Sequence, residues 1–519
     1  MIQILRRRLA AAVVLVLLMT TMSACSGTVK ETAPPEVTVQ APNNLIVFTT
    51  VEDFAKGKHE GTRTLASGNG ALALAEGLAR GTYTSPEVET KLFEYMILSW
   101  NVDTPEGTYI EIEGRVRAGV EGKRQWSGWL SWGNWSTTTF IAEDGKVALP
   151  GSALAAKSED SIAKISTDEL FVRGSAGETA DRFQYRVTLH GLPDKKTAPK
   201  VYLVASTVRN SLKGQAIPKP IAQGAPDLTK LEKDLDVPVY SQYLRHSTIS
   251  GSICSPTSLA MALAYRGSDV SPEEAAWGVR DYVADMFGNW PFNTAYASAH
   301  GLSSYVEYAT PAEGADPWYA VKAEINAGNP VIVSVRYRKP GYMGSSEPPV
   351  EGVPIDSTGG HLVLIRGFTW QDGKEYVIVN DPAARKLEEV RRLYPSDQFF
   401  RAWTKKVMYV IHKDEGEVAQ ACIGAPILGK LVPVGAVAGG TQKYELQVDG
   451  TPVNLNMDNM RSIVVSCNGE KTTPVNPRVS ALSESNLLWF SAKSKPGKYT
   501  YWFMGMDKVT YQAEVDWGT

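Results

Sequence analysis

The chain predicts a multidomain protein: an N-terminal all-β sandwich, a central α+β domain and a small all-β domain at the end. Three observations predict it. First, 519 residues are too many for one hydrophobic core. Second, short alternating segments broken by Gly, Asn and Asp fill the first and last parts, as strands of a sandwich do. Third, two helical stretches between them precede four apolar strand-like runs, the layout of an α+β domain. Hydrophobic content of 43% and charge of 21% are ordinary for a globular chain, and a net charge of −3 disfavours nucleic acid or an anionic surface as a partner.

Residues 1–24 read as an export signal. Arg6, Arg7 and Arg8 form a positive start, Leu9 to Met19 an apolar core, and Ser23-Ala24 a small-residue cleavage site. Met22-Ser23-Ala24-Cys25 resembles the bacterial lipobox, with methionine where leucine is commonest. That resemblance implies cleavage before Cys25, lipid on its side chain and amine, and a protein held at the extracellular face of a bacterial membrane. Residues 25–45 then read as a polar, Pro-containing tether. No second hydrophobic stretch is long enough to cross a bilayer.

The sandwich is expected over residues 46–209, carried by runs such as "GTYIEIEGRVRAG", "DRFQYRVTLHG" and "KVYLVAST". Within it "WSGWLSWGNWS" spaces Trp126, Trp129, Trp132 and Trp135 every third residue. On a regular strand this puts Trp126 and Trp132 on one face and Trp129 and Trp135 on the other. One pair would be core, leaving the other to stack on sugar rings or peptide. Residues 210–235, rich in Pro, Gly and Lys, read as a linker.

The central domain is expected over residues 236–413. Its first helix follows Cys254 in "SGSICSPTSLAMALAYRG"; its second, "SPEEAAWGVRDYVADMF", has Ser271 as N-cap and Glu273 and Glu274 in the favoured first turn. The strands are "PVIVSVRY", "HLVLIRGF", "EYVIVND" and "KVMYVIHK". Residues 414–519 alternate again. Export would place Cys422 and Cys467 in an oxidising compartment, where they are expected to pair.

Cys254 is then left over, at a helix start where partial positive charge favours thiolate over thiol. A thiolate nucleophile needs a base, and the base an orienting partner. Of the six histidines, His300 at an apparent helix end, His412 at a strand end and His246 in a polar segment have ordinary surroundings. His361 differs. "STGGHLVLIRGFTWQDGKEYVIVNDPA" reads as one hairpin turning at Asp372-Gly373, so that Asn380-Asp381 returns towards His361. A tight turn misses direct opposition of Asp381 and His361 by about three residues, which a looser loop or a bulge would correct. Gln242, upstream of Cys254, supplies an amide donor for an oxyanion, and the Cys254 N–H a second. The loop from Arg338 to Thr358, directly before His361, reads as a flap. The chain has no zinc spacing, phosphate loop or dinucleotide fingerprint, and no cofactor is expected.

These residues resemble the bacterial papain-like cysteine peptidases related to the bacteriocin-processing peptidase domain, in their secreted stand-alone branch. The matching stretches are "VPVYSQ", "CSPTSLAMAL", "NWPFNTAYASAHGL", "PVIVSVRY", "TGGHLVLIRGF" and "VIVNDPAA". The resemblance implies a thiolate at Cys254, an imidazole base at His361, an orienting carboxylate at Asp381 and an oxyanion-hole amide at Gln242. Asn380 remains the alternative third member, since the papain group proper uses asparagine. Ser255 stands where many relatives have glycine. "LSWNVDTPEGTYIEIEGRVR" and "WSGWLSWGNWS" are similar to the β domain that often precedes this peptidase. The implied function is hydrolysis of peptides or of peptide cross-links of the cell envelope through a thioester. Two rivals share these features: an envelope- or glycan-binding lipoprotein without turnover, and a thiol acyltransferase such as a transpeptidase or deamidase.

Overall fold

The computed structural model describes residues 38–413 except 67–68, 139, 144, 146, 149–157, 175–176, 195, 213, 246–248 and 282, and beyond them 427–438, 441–452, 463–467, 487–491, 497–504 and 510–517. The protein is multidomain and rich in strands, with an N-terminal sheet domain. The expectations for Cys25 and Cys422 fall outside the described residues, as does the side chain of Cys467; so does His246. Among the described residues no helix is long and apolar enough to cross a membrane.

The N-terminal domain is built on two sheets. The first centres on the long strands Thr179–His190 and Tyr109–Gly119, paired antiparallel along their length. The second centres on Tyr95–Asp103 and Lys200–Arg209, also antiparallel. Their apolar faces meet: Phe48 of the second packs edge-on against Tyr185 of the first, with ring centres 5.2 Å apart.

The tryptophan run departs from the two-by-two expectation. Trp132 and Trp135 are both in the core, 2% and 0% exposed, while Trp126 and Trp129 are partly exposed. The register shifts between Ser131 and Gly133, a bulge that brings residues three apart to the same side of the sheet. Gly114 opposite leaves the space: a Cβ there would lie 2.8 Å from the Trp132 ring. Stacking of a ligand on Trp132 or Trp135 is therefore excluded by burial. Trp126 and Trp129 are themselves covered by guanidinium groups, Arg115 at 4.6 and 4.8 Å and Arg186 at 4.7 Å from Trp129.

The central domain has an antiparallel sheet in the spatial order Leu302–Tyr308, Val407–Lys413, Val331–Arg338, Ser357–Gln371, Lys374–Asn380, Arg391–Pro395. Three helices, Cys254–Tyr265, Pro272–Val279 and Trp290–Ser298, come before it in the chain. Ser271 caps the second helix in a reciprocal box with Glu274, and Glu273 forms a buried ion pair with Arg245. The segment read as a linker is packed down. Ile217 and Leu228 are buried, Lys219 reaches Glu307 at 2.7 Å, and Lys233–Asp234 adds a short strand to Ser357–Gln371. C-terminal to this domain, the described strands form a separate sheet centred on Ile427–Ala438 and Thr441–Val448.

Candidate active site

The hairpin that carries His361 turns tightly at Asp372-Gly373, where φ is +48° and +75°. Its register then shifts between Ile365 and Gly367, leaving Arg366 as the extra residue. This one-residue bulge decides the site. Unbulged pairing carried past Asn380 would set Asp381 opposite Leu364, whose side chain points away from the face of His361. With the bulge, Leu364 pairs with Asn380, and the next position faces Val363, two residues from His361 and on its side of the sheet. Diagonal neighbours of this kind lie within reach of long side chains. The bulge is held by the short strand Lys233–Asp234. Gly367 lies so close to it that a Cβ would fall 2.0 Å from the Lys233 carbonyl oxygen, and Arg366 turns its guanidinium to Asp234 at 2.6 Å.

His361 Nε2 and Asp381 Oδ1 are 2.8 Å apart, and both side chains are almost wholly buried. The ring nitrogen left for Cys254 is Nδ1, and thiol and imidazole are near enough for each to shift the other's titration. Asp381 receives three further donors: the Ala383 N–H at 2.9 Å, the Tyr394 hydroxyl at 2.7 Å and the Tyr337 hydroxyl at 3.4 Å. Tyr337 also sets its ring at right angles to the imidazole, 5.9 Å away. Asn380 points elsewhere, donating to the carbonyl oxygens of Val237 and Pro238. Of the two candidates for the third position, only Asp381 meets the histidine.

Cys254 is half-buried at the first position of its helix, and Ile253 before it supplies no side-chain cap. The orphan N–H groups of the first turn are therefore left to the site. The helix is tied to the histidine strand through Ser258, whose hydroxyl donates to the Leu362 carbonyl at 3.0 Å. Burial pushes the Cys254 thiol up, but the hydrogen bond and charge of His361, with the N–H groups of Leu362 and Ser255, outweigh it and bring it below its ordinary 9.0. Burial likewise opposes a charged imidazole, yet the Asp381 carboxylate and the Cys254 sulfur raise His361 from 6.5 to about 10. Against its own burial, Asp381 is held below 3.8 by the imidazole, Tyr394 and the Ala383 N–H. The three groups stabilise a thiolate beside an imidazolium.

Gln242 opens a single 3-10 turn, Gln242–Leu244, and is buried. Its backbone N–H donates to the carbonyl of Pro382, next to Asp381, and its side-chain amide to the carbonyl of Ser250 at 2.8 Å, in the approach to Cys254. The amide nitrogen keeps a second hydrogen. Gly359 and Gly360 leave open space beside His361: a Cβ at either would meet nothing within 4 Å. The loop read as a flap is anchored at its base by Val350 and Val353, both buried, while Met343 at its tip is 91% exposed. His300 and His412 stand away from the site; His412 pairs with Glu324 at 2.8 Å.

Residues 234–409 match the sequence model of the Peptidase_C39 like family, and residues 44–208 that of the Peptidase C39 N-terminal domain. The chain belongs to the C39-like, papain-type peptidase family. The two matched regions of this C39-like protein cover more than half of it and coincide with the N-terminal sheet domain and the domain that carries Cys254 and His361. No curated protein matches the chain. Among solved structures, Tp47, the 47-kilodalton lipoprotein of Treponema pallidum, aligns over 83% of this chain and 90% of its own, at 8% identity and a TM-score of 0.09; a likeness that small carries no argument.

Sequence reasoning missed Tyr394, Tyr337 and Ser255 as parts of this C39-like site. Ser255 is fully buried, donating to Asn293 at 2.8 Å and meeting the Tyr409 hydroxyl at 2.9 Å. The two tyrosines lie on strands that reach Asp381 only through sheet pairing, so no local pattern marks them. For Ser255, the departure from glycine beside the cysteine was the available signal.

Proposed function

We propose that the protein is a cysteine peptidase that hydrolyses peptide bonds through Cys254, His361 and Asp381. The observation that carries this reading is the buried His361–Asp381 pair, 2.8 Å apart, beside the half-buried thiol of Cys254, with thiol and imidazole close enough that each shifts the other's titration. The Cys254 thiolate attacks the amide carbonyl, and the resulting oxyanion is received by the Cys254 N–H and the free hydrogen of the Gln242 amide, donors worth about 3 kcal/mol each in such sites. His361, protonated at Nδ1, gives that proton to the departing amine, leaving a thioester on Cys254. The neutral imidazole then takes a proton from water as the water attacks the thioester, and keeps it as the Cys254 thiolate and the acid product separate, which restores the starting pair. Asp381 keeps the ring turned to the sulfur and stabilises its charged form.

The test is single-site substitution with product analysis on a peptide library. Cys254→Ala is expected to abolish cleavage while leaving the thermal transition within a few degrees of the parent. A fully active Cys254→Ala protein refutes the assignment, and a new amide in place of a free carboxylate among the products would make the enzyme a transferase. We further propose that lipid on Cys25 anchors the protein at the extracellular face of a bacterial membrane, with envelope peptides within reach as substrates. Loss of membrane fractionation in Cys25→Ala is the expected outcome; unchanged fractionation refutes it.

A further inference from the structure

The edge strand of the central sheet, Leu302–Tyr308, pairs with Val407–Lys413 on one side only. On its other side the N–H groups of Ser304, Val306 and Tyr308 are taken, in alternation, by side chains of the N-terminal domain: Asn101 at 3.0 Å, Ser99 at 3.1 Å and Thr207 at 3.1 Å. Asn101 also donates to the Ser304 carbonyl at 2.6 Å. The next contact lies closer to the thiol. The hairpin between Ala163–Ser166 and Glu169–Val172 holds Thr167 at φ +63°, a conformation that a β-branched residue rarely adopts. That turn presents Asp168, which is buried and accepts the Trp290 N–H at 3.1 Å.

Trp290 opens the helix Trp290–Ser298, and its first turn is fully accounted for by two carriers. Asn289 accepts from Phe292, Pro291 has no N–H, and Asp168 takes the one donor that remains. Phe292 packs between Trp135 and Trp100 of the N-terminal domain, 4.9 and 6.1 Å away. One turn on, Asn293 accepts the hydroxyl of Ser255, the buried residue directly bonded to Cys254 in the first turn of its helix. A strained turn of one domain thus caps the helix that locks the residue after the thiol in the other.

We infer that the N-terminal domain is an integral part of the thiol site, and that Asp168 is a positioning residue which, through the helix Trp290–Ser298 and Ser255, holds Cys254 in register with His361. The inference rests on the cysteine-peptidase reading. Asp168 touches no reacting atom and acts through the helix it caps.

The experiment measures two quantities on the full-length chain: the pH dependence of Cys254 alkylation by iodoacetamide, and kcat and KM on a cleaved peptide. Asp168→Ala is expected to move the thiolate titration upward and to lower kcat about 10- to 100-fold with KM little changed, the size expected of a small misplacement of reacting groups. Asp168→Asn, whose amide oxygen accepts the same N–H, is expected to restore most of both. A merely structural residue would lower the folded fraction and leave the titration in place. Should Asp168→Ala fail to fold, Ser255→Ala removes the last link of the same chain and is expected to move the titration in the same direction. Parental titration and kcat in every folded variant would overturn the inference while leaving the peptidase intact. If the parent thiol titrates at the ordinary cysteine value and no peptide is cleaved, it is the peptidase reading that fails, and the inference with it.

Discussion

The imidazole of His361 is the residue on which the proposed chemistry turns, and its environment sets an expected pH window. Its folded value is raised to about 10 and that of the Cys254 thiol is lowered, so the thiolate–imidazolium pair exists between the two. The profile of kcat/KM is expected to be bell-shaped, rising through the depressed thiol value and falling near pH 10; a profile rising only at the ordinary cysteine value would contradict the pairing. Stability follows the same groups with opposite signs. Asp381, depressed in the folded chain, contributes stability present above its unfolded value and lost as pH falls through its folded one. His361, raised, contributes stability fully present below about pH 6.5 and lost as pH climbs towards 10. The two describe one interaction and are not additive. Tyr394→Phe removes the 2.7 Å bond to the Asp381 carboxylate. Urea unfolding is expected to show a loss of about 1.5–3 kcal/mol, the range for a hydrogen bond to a charged group, with kcat reduced and KM held. An unchanged midpoint and rate would mean that water replaces the hydroxyl without loss.

At the scale of the element, the hairpin from Ser357 to Asn380 shows how local chemistry and its neighbours share the work. Asp372-Gly373 is legible as a turn, and the apolar runs on either side are legible as strands. The bulge at Arg366 is not, because it answers to the strand Lys233–Asp234, more than a hundred residues away in the chain. Gly367→Ala therefore tests the bulge. Its Cβ would lie 2.0 Å from the Lys233 carbonyl oxygen and 2.9 Å from the Asp234 Cα, both backbone atoms that cannot swing aside. A loss of about 1–3 kcal/mol is expected, the usual cost of overpacking, together with lower activity as Asp381 turns from the face of His361. Gly360→Ala, with nothing within 4 Å, is expected to stay within about 0.5 kcal/mol by the same denaturation measurement. If the two variants behave alike, close packing at Gly367 is not what holds the bulge.

At the scale of the whole molecule, the two family-matched regions are bonded into one body rather than strung together. Ser304, Val306 and Tyr308 would otherwise present a free row of N–H groups on an edge strand, a template for pairing with another chain. A chain lacking residues 44–208 is expected to self-associate, seen as a rise in light scattering and an early shift on size exclusion at micromolar concentration. A monomeric, fully active truncation would show that the edge needs no cover. Glu169 strengthens the same boundary, accepting the Tyr308 hydroxyl at 2.5 Å and pairing with Lys405 at 2.7 Å.

Reading residues in order was enough to nominate the groups of the candidate site: a thiol at a helix start, an imidazole and an acid on one hairpin, and an amide upstream. Those features are local, and turn, cap and alternation rules act over a few residues. Ser271 as a cap and Asp372-Gly373 as a turn follow from the same short range. The resemblance favoured Asp381 over Asn380, but the geometry that brings Asp381 to the imidazole belonged to the fold, because the parity of a strand depends on one extra residue whose cause is a distant backbone. So did the inward turn of both Trp132 and Trp135, which a bulge opposite Gly114 produced. Asp168 belonged to it most of all. No sequence rule joins a hairpin in one domain to a helix start in another, since what joins them is the need of a buried N–H for an acceptor once the two domains have closed on each other.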